Sequence, residues 1–252
     1  MESANQIRKL EDELFIKWQQ RMKSNSEEHW DRFVPDGVVD PKNYSDIHPK
    51  IVLLLKEVHD DPNIENLKPW KLYDYLFDGH QDAGAFMWDV VARWVSAIIF
   101  GNETWDDYNR NKPFLKELSS DQEFRATMLR NIAVVNVKKT GGGSKSDKTL
   151  IKKHCKNYGD FIHDQIQMYK PNIIISGLGD QRCPQLIFCN HVLKWIESSV
   201  YPYSVLSVFK DENVVLIDGH HPGAFPVARR NLHENLISTV IEIRKYLGWD
   251  TR

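Results

Sequence analysis

Residues 51–61 read IVLLLKEVHDD, in which five apolar residues are followed at once by charged and polar ones. An apolar run this short is typical of a strand buried on both faces, as in a parallel sheet flanked by helices. In such sheets ligands bind at the carboxyl ends of the strands. The polar residues Glu57, His59, Asp60 and Asp61 are therefore candidates for a functional site, and the alternative is a solvated loop with a helix-capping aspartate.

Three further apolar runs resemble the first, at 132–137, 172–179 and 214–218, and 204–209 is a candidate edge strand. Helical patterns separate them, at 87–101, 121–130, 147–169, 184–198 and 229–249. This alternation predicts an α/β fold, a three-layer α/β/α sandwich with a central, mostly parallel four-stranded sheet. We expect a single domain over 1–252, with an N-terminal amphipathic helix over 5–24 packed on it.

Composition and charge narrow the class of protein. The chain has 252 residues and a net charge of −2, so no overall field draws it to nucleic acid. No apolar run approaches the roughly 20 residues that a membrane span needs. Cys155, Cys183 and Cys189 are too few for a disulfide framework or a four-thiolate cluster. These features predict a cytoplasmic monomer that does not associate with a membrane.

Three of the predicted strands end in residues that can carry chemistry: Glu57, Asn136 and His221. Parallel strands bring such ends to the same edge of a sheet. A carboxylate can face a cation or orient a water molecule, and a carboxamide reads both donors and acceptors. A neutral imidazole can donate a hydrogen bond to a developing anion. The set suits a reaction in which a cation and an anion separate.

These stretches resemble the uracil-DNA glycosylase superfamily. Its members have a first strand ending in Gly-Gln-Asp-Pro-Tyr or a Gly-Glu-Pro variant, a middle strand ending in Asn, and a late strand ending in His-Pro-Ser. The matching stretches are Leu55–His59, Val134–Asn136 and His221–Gly223. Their order and placement agree with the family over residues 50–245.

The resemblance implies a monofunctional DNA glycosylase that uses no cofactor or metal. It hydrolyses the N-glycosidic bond of a flipped-out uracil or 5-modified pyrimidine and leaves an abasic site. Glu57 would orient water and stabilise the sugar cation, and His221 would bind the departing base. Asn136 would read the edge of the base. Trp70 would stack on it.

Two departures from the family pattern bear on the substrate. Val58 and His59 replace the family's Pro-Tyr, whose tyrosine excludes a 5-methyl group, and Gly141–Gly143 leave room after the middle strand. Both changes favour a larger or polar 5-substituent, as in modified viral DNA, so the role is either repair or defence against phage. His59 is accordingly a candidate substrate-binding residue.

DNA, duplex or single-stranded, is the expected partner, and binding it requires a local basic face. Lys138 and Lys139 begin a lysine-rich stretch after the second strand, and Arg229 and Arg230 flank the last loop. Phe225 is a candidate wedge that fills the gap left by the extruded base.

Two other functions remain open. His59, Asp60, Asp61, Asp218, His220 and His221 could instead hold the metal ion of a phosphoesterase, although their spacing matches no ligand signature. The chain could also bind nucleic acid through the same fold without catalysis.

Overall fold

A computed structural model describes residues 2–59, 69–79, 85–101, 121–143, 145–188, 195–198, 200–209, 212–223 and 229–247. The strands are β1 (Gly37–Val38), β2 (Ile51–Leu55), β3 (Ile132–Asn136), β4 (Ile173–Ser176), β5 (Trp195–Ile196), β6 (Tyr203–Phe209) and β7 (Glu212–Asp218). The α-helices are α1 (Glu2–Ser24), α2 (Pro41–Asp46), α3 (Leu72–Phe77), α4 (Ala85–Phe100), α5 (Asp121–Leu129), α6 (Lys148–Tyr169), α7 (Arg182–Ile187) and α8 (Arg229–Leu247). A short 3-10 helix, Trp30–Arg32, follows α1.

The described strands form one mixed sheet in the order β1-β3-β2-β4-β7-β6-β5. The four apolar runs found in the sequence are β2, β3, β4 and β7, and they pair in parallel. The remaining strands, β1, β5 and β6, add antiparallel pairs at the two sides. The α/β class is confirmed, but the sheet has seven strands in the described residues rather than the four predicted.

Alternate residues of β2 enter different hydrophobic clusters, because successive side chains of a strand point to opposite faces. Ile51, Leu53 and Leu55 pack in a cluster with α3, α4, α5 and α8. Val52 and Leu54 pack in the other, with α1, α2, α6 and α7. Described helices therefore pack on both faces of the sheet, and the carboxyl ends of the parallel strands are the expected place for a site.

The ends of the longest helices follow from local sequence. The carboxylate of Asp147 accepts hydrogen bonds from the backbone N–H groups of Thr149 and Leu150, which begins α6. Pro171 follows the end of α6 at Tyr169, where a further turn would lack its N–H donor. The predicted helix over 184–198 is wrong at its end, because Trp195–Ile196 pair with β6 as β5.

Candidate functional site

The carboxyl ends of the four parallel strands lie along the same edge of the sheet. Leu55 of β2 is in register with Asn136 of β3, and Ser176 of β4 with Asp218 of β7. The pairing continues past β2 and β3, because the N–H of Lys138 donates to the Lys56 carbonyl at 2.8 Å. The loops 56–59 and 137–142 consequently run side by side.

Glu57 lies in the first of these loops, with only 7% of its side chain exposed. Its Oε2 atom accepts a hydrogen bond from the Lys138 ammonium at 2.7 Å. The backbone of Gly142 passes so close that a Cβ atom there would overlap the Glu57 carboxylate. The glycine is therefore required for the carboxylate to sit where it does.

Lys138 is enclosed by acceptors. Besides Glu57, its ammonium donates to the carbonyl oxygen of Thr140 at 3.2 Å and to that of Gly141. Only 9% of its side chain is exposed. Lys138 therefore joins the carboxylate to the glycine-rich loop. Its ammonium is paired within the protein, and the contact with DNA phosphates stays a prediction.

A cavity of about 320 Å³ opens beside this pair. Its described lining consists of the glycine-rich loop, the start of α6 and the segment after α1, namely Glu27, Glu28, His29, Glu57, Lys138, Thr140, Gly141, Gly142, Gly143, Lys145, Asp147, Leu150 and His154. Carboxylates outnumber ammonium groups in this lining, and Asp147 caps the start of α6 with its own side chain. The cavity is accordingly ill suited to a phosphate group.

His154 is buried in the cavity wall, with Nε2 3.5 Å from Oε1 of Glu27. Burial is the main cause that lowers the pKa of His154 to about 4, against the opposing effect of Glu27. The imidazole is therefore neutral at physiological pH. Glu27 also accepts a hydrogen bond from the Tyr158 hydroxyl at 3.2 Å. Sequence reasoning missed both residues, because neither follows a strand.

Asn136 ends β3 and is only 2% exposed. Its backbone N–H donates to Oδ2 of Asp36 at 2.6 Å. Its side-chain Oδ1 has no hydrogen-bond partner among the described residues. A buried amide oxygen without a partner is costly, and it indicates a place where a ligand or water completes the bonding.

His221 lies in the loop after β7. The N–H of Gly223 donates to its Nδ1 atom at 3.1 Å, so the ring proton belongs on Nε2. Burial and the nearby Lys56 ammonium lower the pKa of His221 to about 4. His221 is thus a neutral imidazole with an N–H to donate.

The loop of His221 packs against the end of β2 through Gly177. A Cβ atom at Gly177 would lie 3.0 Å from Cδ2 of Leu55 and 3.3 Å from Cα of His221. Leu55 at the end of β2 and His221 after β7 therefore both approach Gly177, which follows β4, the strand that lies between β2 and β7. Among the described residues, however, the lining of the 320 Å³ cavity includes Glu57 but neither Asn136 nor His221.

Lys139 is more deeply buried than Lys138. Its ammonium lies 2.5 Å from Oδ1 of Asp36, with neither side chain exposed, and it also donates to Gln165 at 2.8 Å. The prediction for Lys139 is wrong, because this lysine is paired within the protein interior. The pairing could not be predicted from the run of basic residues, because its partners Asp36 and Gln165 are distant in sequence.

The other candidates have mixed placements. His59 is exposed and pairs through its backbone with Gly142. Trp70 packs on the hydrophobic core with its ring 6.0 Å from that of Tyr75. Arg230 is exposed and forms an ion pair with Glu234 at 2.7 Å. Phe225 and the side chain of Arg229 lie outside the described residues, as do Asp60 and Asp61.

A basic surface does remain near the strand ends, on the first half of α6. Lys148, Lys152 and Lys156 recur every four residues, which places them on one side of the helix. Lys148 and Lys156 are exposed, and Lys152 is half-buried. This lysine row is a basic surface in the described part of the chain, whereas the side chains of Lys138 and Lys139 are buried.

Within the described ranges, no group of three or more His, Cys, Asp or Glu side chains is arranged to hold a metal ion. The same part of the chain contains no helix with the length and apolar character needed to cross a membrane. Comparison with family models, curated proteins and solved structures found no match. The resemblance to uracil-DNA glycosylases therefore stays a prediction.

Proposed function

We propose that this protein is a monofunctional DNA glycosylase with the three-layer α/β/α arrangement of the uracil-DNA glycosylase superfamily. It would hydrolyse the N-glycosidic bond of an extruded uracil or 5-modified pyrimidine. The observation that supports this most is that a carboxylate, an unpartnered amide oxygen and a neutral imidazole lie at or just after the carboxyl ends of parallel strands of one sheet. These are the groups that a bond broken into a sugar cation and a base anion requires.

Glu57 supplies the negative charge. In glycoside cleavage a carboxylate stabilises the oxocarbenium-like sugar and directs the attacking water. The Glu57 carboxylate borders a cavity of about 320 Å³, which leaves space beside it for a water molecule and part of the substrate. Because Lys138 holds one carboxylate oxygen, Oε1 is the oxygen left to orient water.

His221 acts on the departing base. Its Nε2–H can donate to the oxygen on which negative charge accumulates as the glycosidic bond breaks. A neutral imidazole keeps this proton, and the lowered pKa of about 4 preserves the neutral form throughout the physiological range. His221 would thus stabilise the base anion without titrating near neutral pH.

Asn136 and the lysine row bind the substrate. The unpartnered Oδ1 of Asn136 can accept a hydrogen bond from an N–H of the base once it has left the stack. The phosphates of the DNA would lie along Lys148, Lys152 and Lys156 on α6. DNA is therefore the proposed partner.

The test is incubation of the protein with DNA duplexes and single strands that carry uracil or various 5-modified cytosines and thymines, followed by alkaline cleavage at abasic sites. We expect base release from at least one substrate, with undiminished activity in the presence of a chelator. Glu57→Gln should reduce release about a thousandfold and retain DNA binding, since glutamine still accepts from Lys138.

The outcomes separate the competing functions. DNA binding without abasic sites from any substrate would instead indicate the non-catalytic binder. Strand cleavage that a chelator abolishes would indicate the metal-dependent phosphoesterase. A Glu57→Gln variant as active as the native protein would remove Glu57 from the mechanism.

A further inference from the structure

The pairing of Lys138 uses its whole capacity to donate. A lysine ammonium has three N–H bonds. Three acceptors surround this one: Oε2 of Glu57 and the carbonyl oxygens of Thr140 and Gly141. Each proton therefore has a partner, and the amine has no lone pair directed at the cavity.

We propose that Lys138 is a positioning residue, which fixes the Glu57 carboxylate against the cavity wall through a buried ion pair. This inference rests on the proposed function, since it assigns Lys138 a role in the reaction of Glu57. A buried carboxylate without a counter-ion is desolvated and takes up a proton more readily. In the native protein the Lys138 ammonium lies 2.7 Å from Oε2 of Glu57, whose side chain is only 7% exposed, so the buried carboxylate has a counter-ion.

The same contacts order the glycine-rich loop. Lys138 holds the carbonyls of Thr140 and Gly141, and the next residue, Gly142, packs directly on the Glu57 carboxylate. The loop and the carboxylate are consequently fixed as a unit. A water molecule bound to Glu57 would face the cavity rather than the sheet.

A lysine beside a carboxylate in a glycosylase raises the alternative of a covalent mechanism. In that case the neutral amine would displace the base from the sugar carbon C1′ and lose a proton. The C1′–O4′ bond would then open as O4′ takes up a proton, and the resulting iminium could be reduced by borohydride. An amine acts as a nucleophile only after it loses a proton. All three donor positions of Lys138 are engaged by acceptors within the protein, so the geometry points to hydrolysis by water.

The experiment compares Lys138→Met, Lys138→Arg and the control Lys17→Met, an exposed residue of α1. Single-turnover base release is measured from pH 5 to 9 on the substrate that the native protein processes. We expect Lys138→Met to move the acidic limb of the profile upward by about one pH unit or more. Lys138→Arg keeps the positive charge, so the acidic limb of its pH–rate profile should stay in place while its rate of base release falls. Lys17→Met should match the native protein.

Two results would overturn the proposal. One is a Lys138→Met profile that is reduced equally at every pH. The other is a borohydride-trapped adduct between the native protein and DNA that Lys138→Met abolishes. If the native protein releases no base from any substrate, the proposed function fails. The role of the ion pair between Lys138 and Glu57 can still be tested by measuring the stability of the fold.

For this stability test, the melting temperature is measured as a function of pH for the Lys138→Met variant and for the Lys138→Met/Glu57→Gln double variant. Removal of the ammonium should raise the pKa of the folded-state carboxyl above its unfolded value, so stability should rise as the pH falls. The double variant lacks the ionisable group and should show no such recovery. Identical pH dependence in the two variants would contradict the inference.

Discussion

Lys138 and Lys139 are adjacent in the chain, and both are buried, yet their surroundings differ in kind. Lys138 faces a cavity of about 320 Å³ and pairs with Glu57, whose other oxygen remains available. Lys139 faces a closed interior and pairs with Asp36 and Gln165. Successive residues of an extended chain point to opposite sides, which separates the two environments.

The interior around Lys139 is a continuous polar network. Gln165 donates to Asp36 at 2.9 Å and to the Tyr169 hydroxyl at 2.9 Å, and Tyr169 donates to Glu11 at 2.7 Å. Glu11 belongs to α1, whereas Gln165 and Tyr169 belong to α6. The network therefore connects the N-terminal helix to the end of β3, where Asp36 accepts from the N–H of Asn136.

The difference between the surroundings of Lys138 and Lys139 indicates which buried charges are associated with function. A buried ion pair whose two members also form hydrogen bonds with other buried side chains stabilises the fold. The pair at Glu57 instead borders open space, and it orders a loop that a substrate can reach. The largest expected effects on folding thus lie on the Lys139 side, and those on chemistry lie on the Lys138 side.

The largest effect on stability is expected for Lys139→Met. The change leaves Asp36 buried without its counter-ion, so we expect a loss of about 3–5 kcal/mol in the free energy of unfolding. Urea denaturation measures this, with Lys17→Met as the control within about 0.5 kcal/mol of the native protein. A small loss of stability together with weakened DNA binding would restore the DNA-contact role that burial contradicts.

Acid should act on the cavity side through His154. Its folded-state pKa is lowered to about 4, below the ordinary value of 6.5, chiefly by burial. The neutral ring therefore stabilises the fold fully above pH 6.5, and this contribution is lost as the pH falls toward 4. The loss amounts to roughly 3 kcal/mol.

His154→Phe removes the titrating group and should flatten the dependence of unfolding free energy on pH over this window. Urea denaturation at a series of pH values measures the slope. An unchanged slope would mean that His154 does not account for the acid sensitivity.

In the polar network around Lys139, burial instead raises the pKa of Glu11. A fall in pH therefore changes the contribution of Glu11 to stability in the opposite direction to that of His154.

Gly142→Ala tests the contact between the loop and Glu57. The added methyl group overlaps the carboxylate, so the loop or Glu57 must shift, and we expect base release to fall about 10–100-fold. Gly143→Ala is the matched comparison, because a Cβ atom there meets nothing within 4 Å. Single-turnover rates decide between them, and equal losses in the two variants would contradict the proposed fit.

The smallest effect is expected for Asn136→Ala. If its unpartnered Oδ1 reads the base, the change should alter relative release among bases about tenfold and leave DNA affinity within about twofold. Competition between two substrates measures selectivity, and a gel-shift titration measures affinity. Equal loss across all substrates with weaker DNA binding would indicate that Asn136 supports the fold instead.

Local patterns predicted the main elements of the fold. The runs at β2, β3, β4 and β7 are apolar on both faces, which is the signature of buried parallel strands. The strands β1 and β5 have only two residues each, too short for a periodic pattern. Their pairing partners, not their own composition, place them in the sheet.

The sequence by itself determined that Asn136 ends a strand and that Glu57 and His221 follow strands, because that depends on neighbouring apolar residues. Only the tertiary structure decided what each charge meets. It buried Lys138 and Lys139 on opposite sides, paired them with Glu57 and Asp36, and brought Gly142 onto a carboxylate. The physical reason is that charge pairing depends on distance in space, and partners separated by 81 and 103 residues leave no local trace.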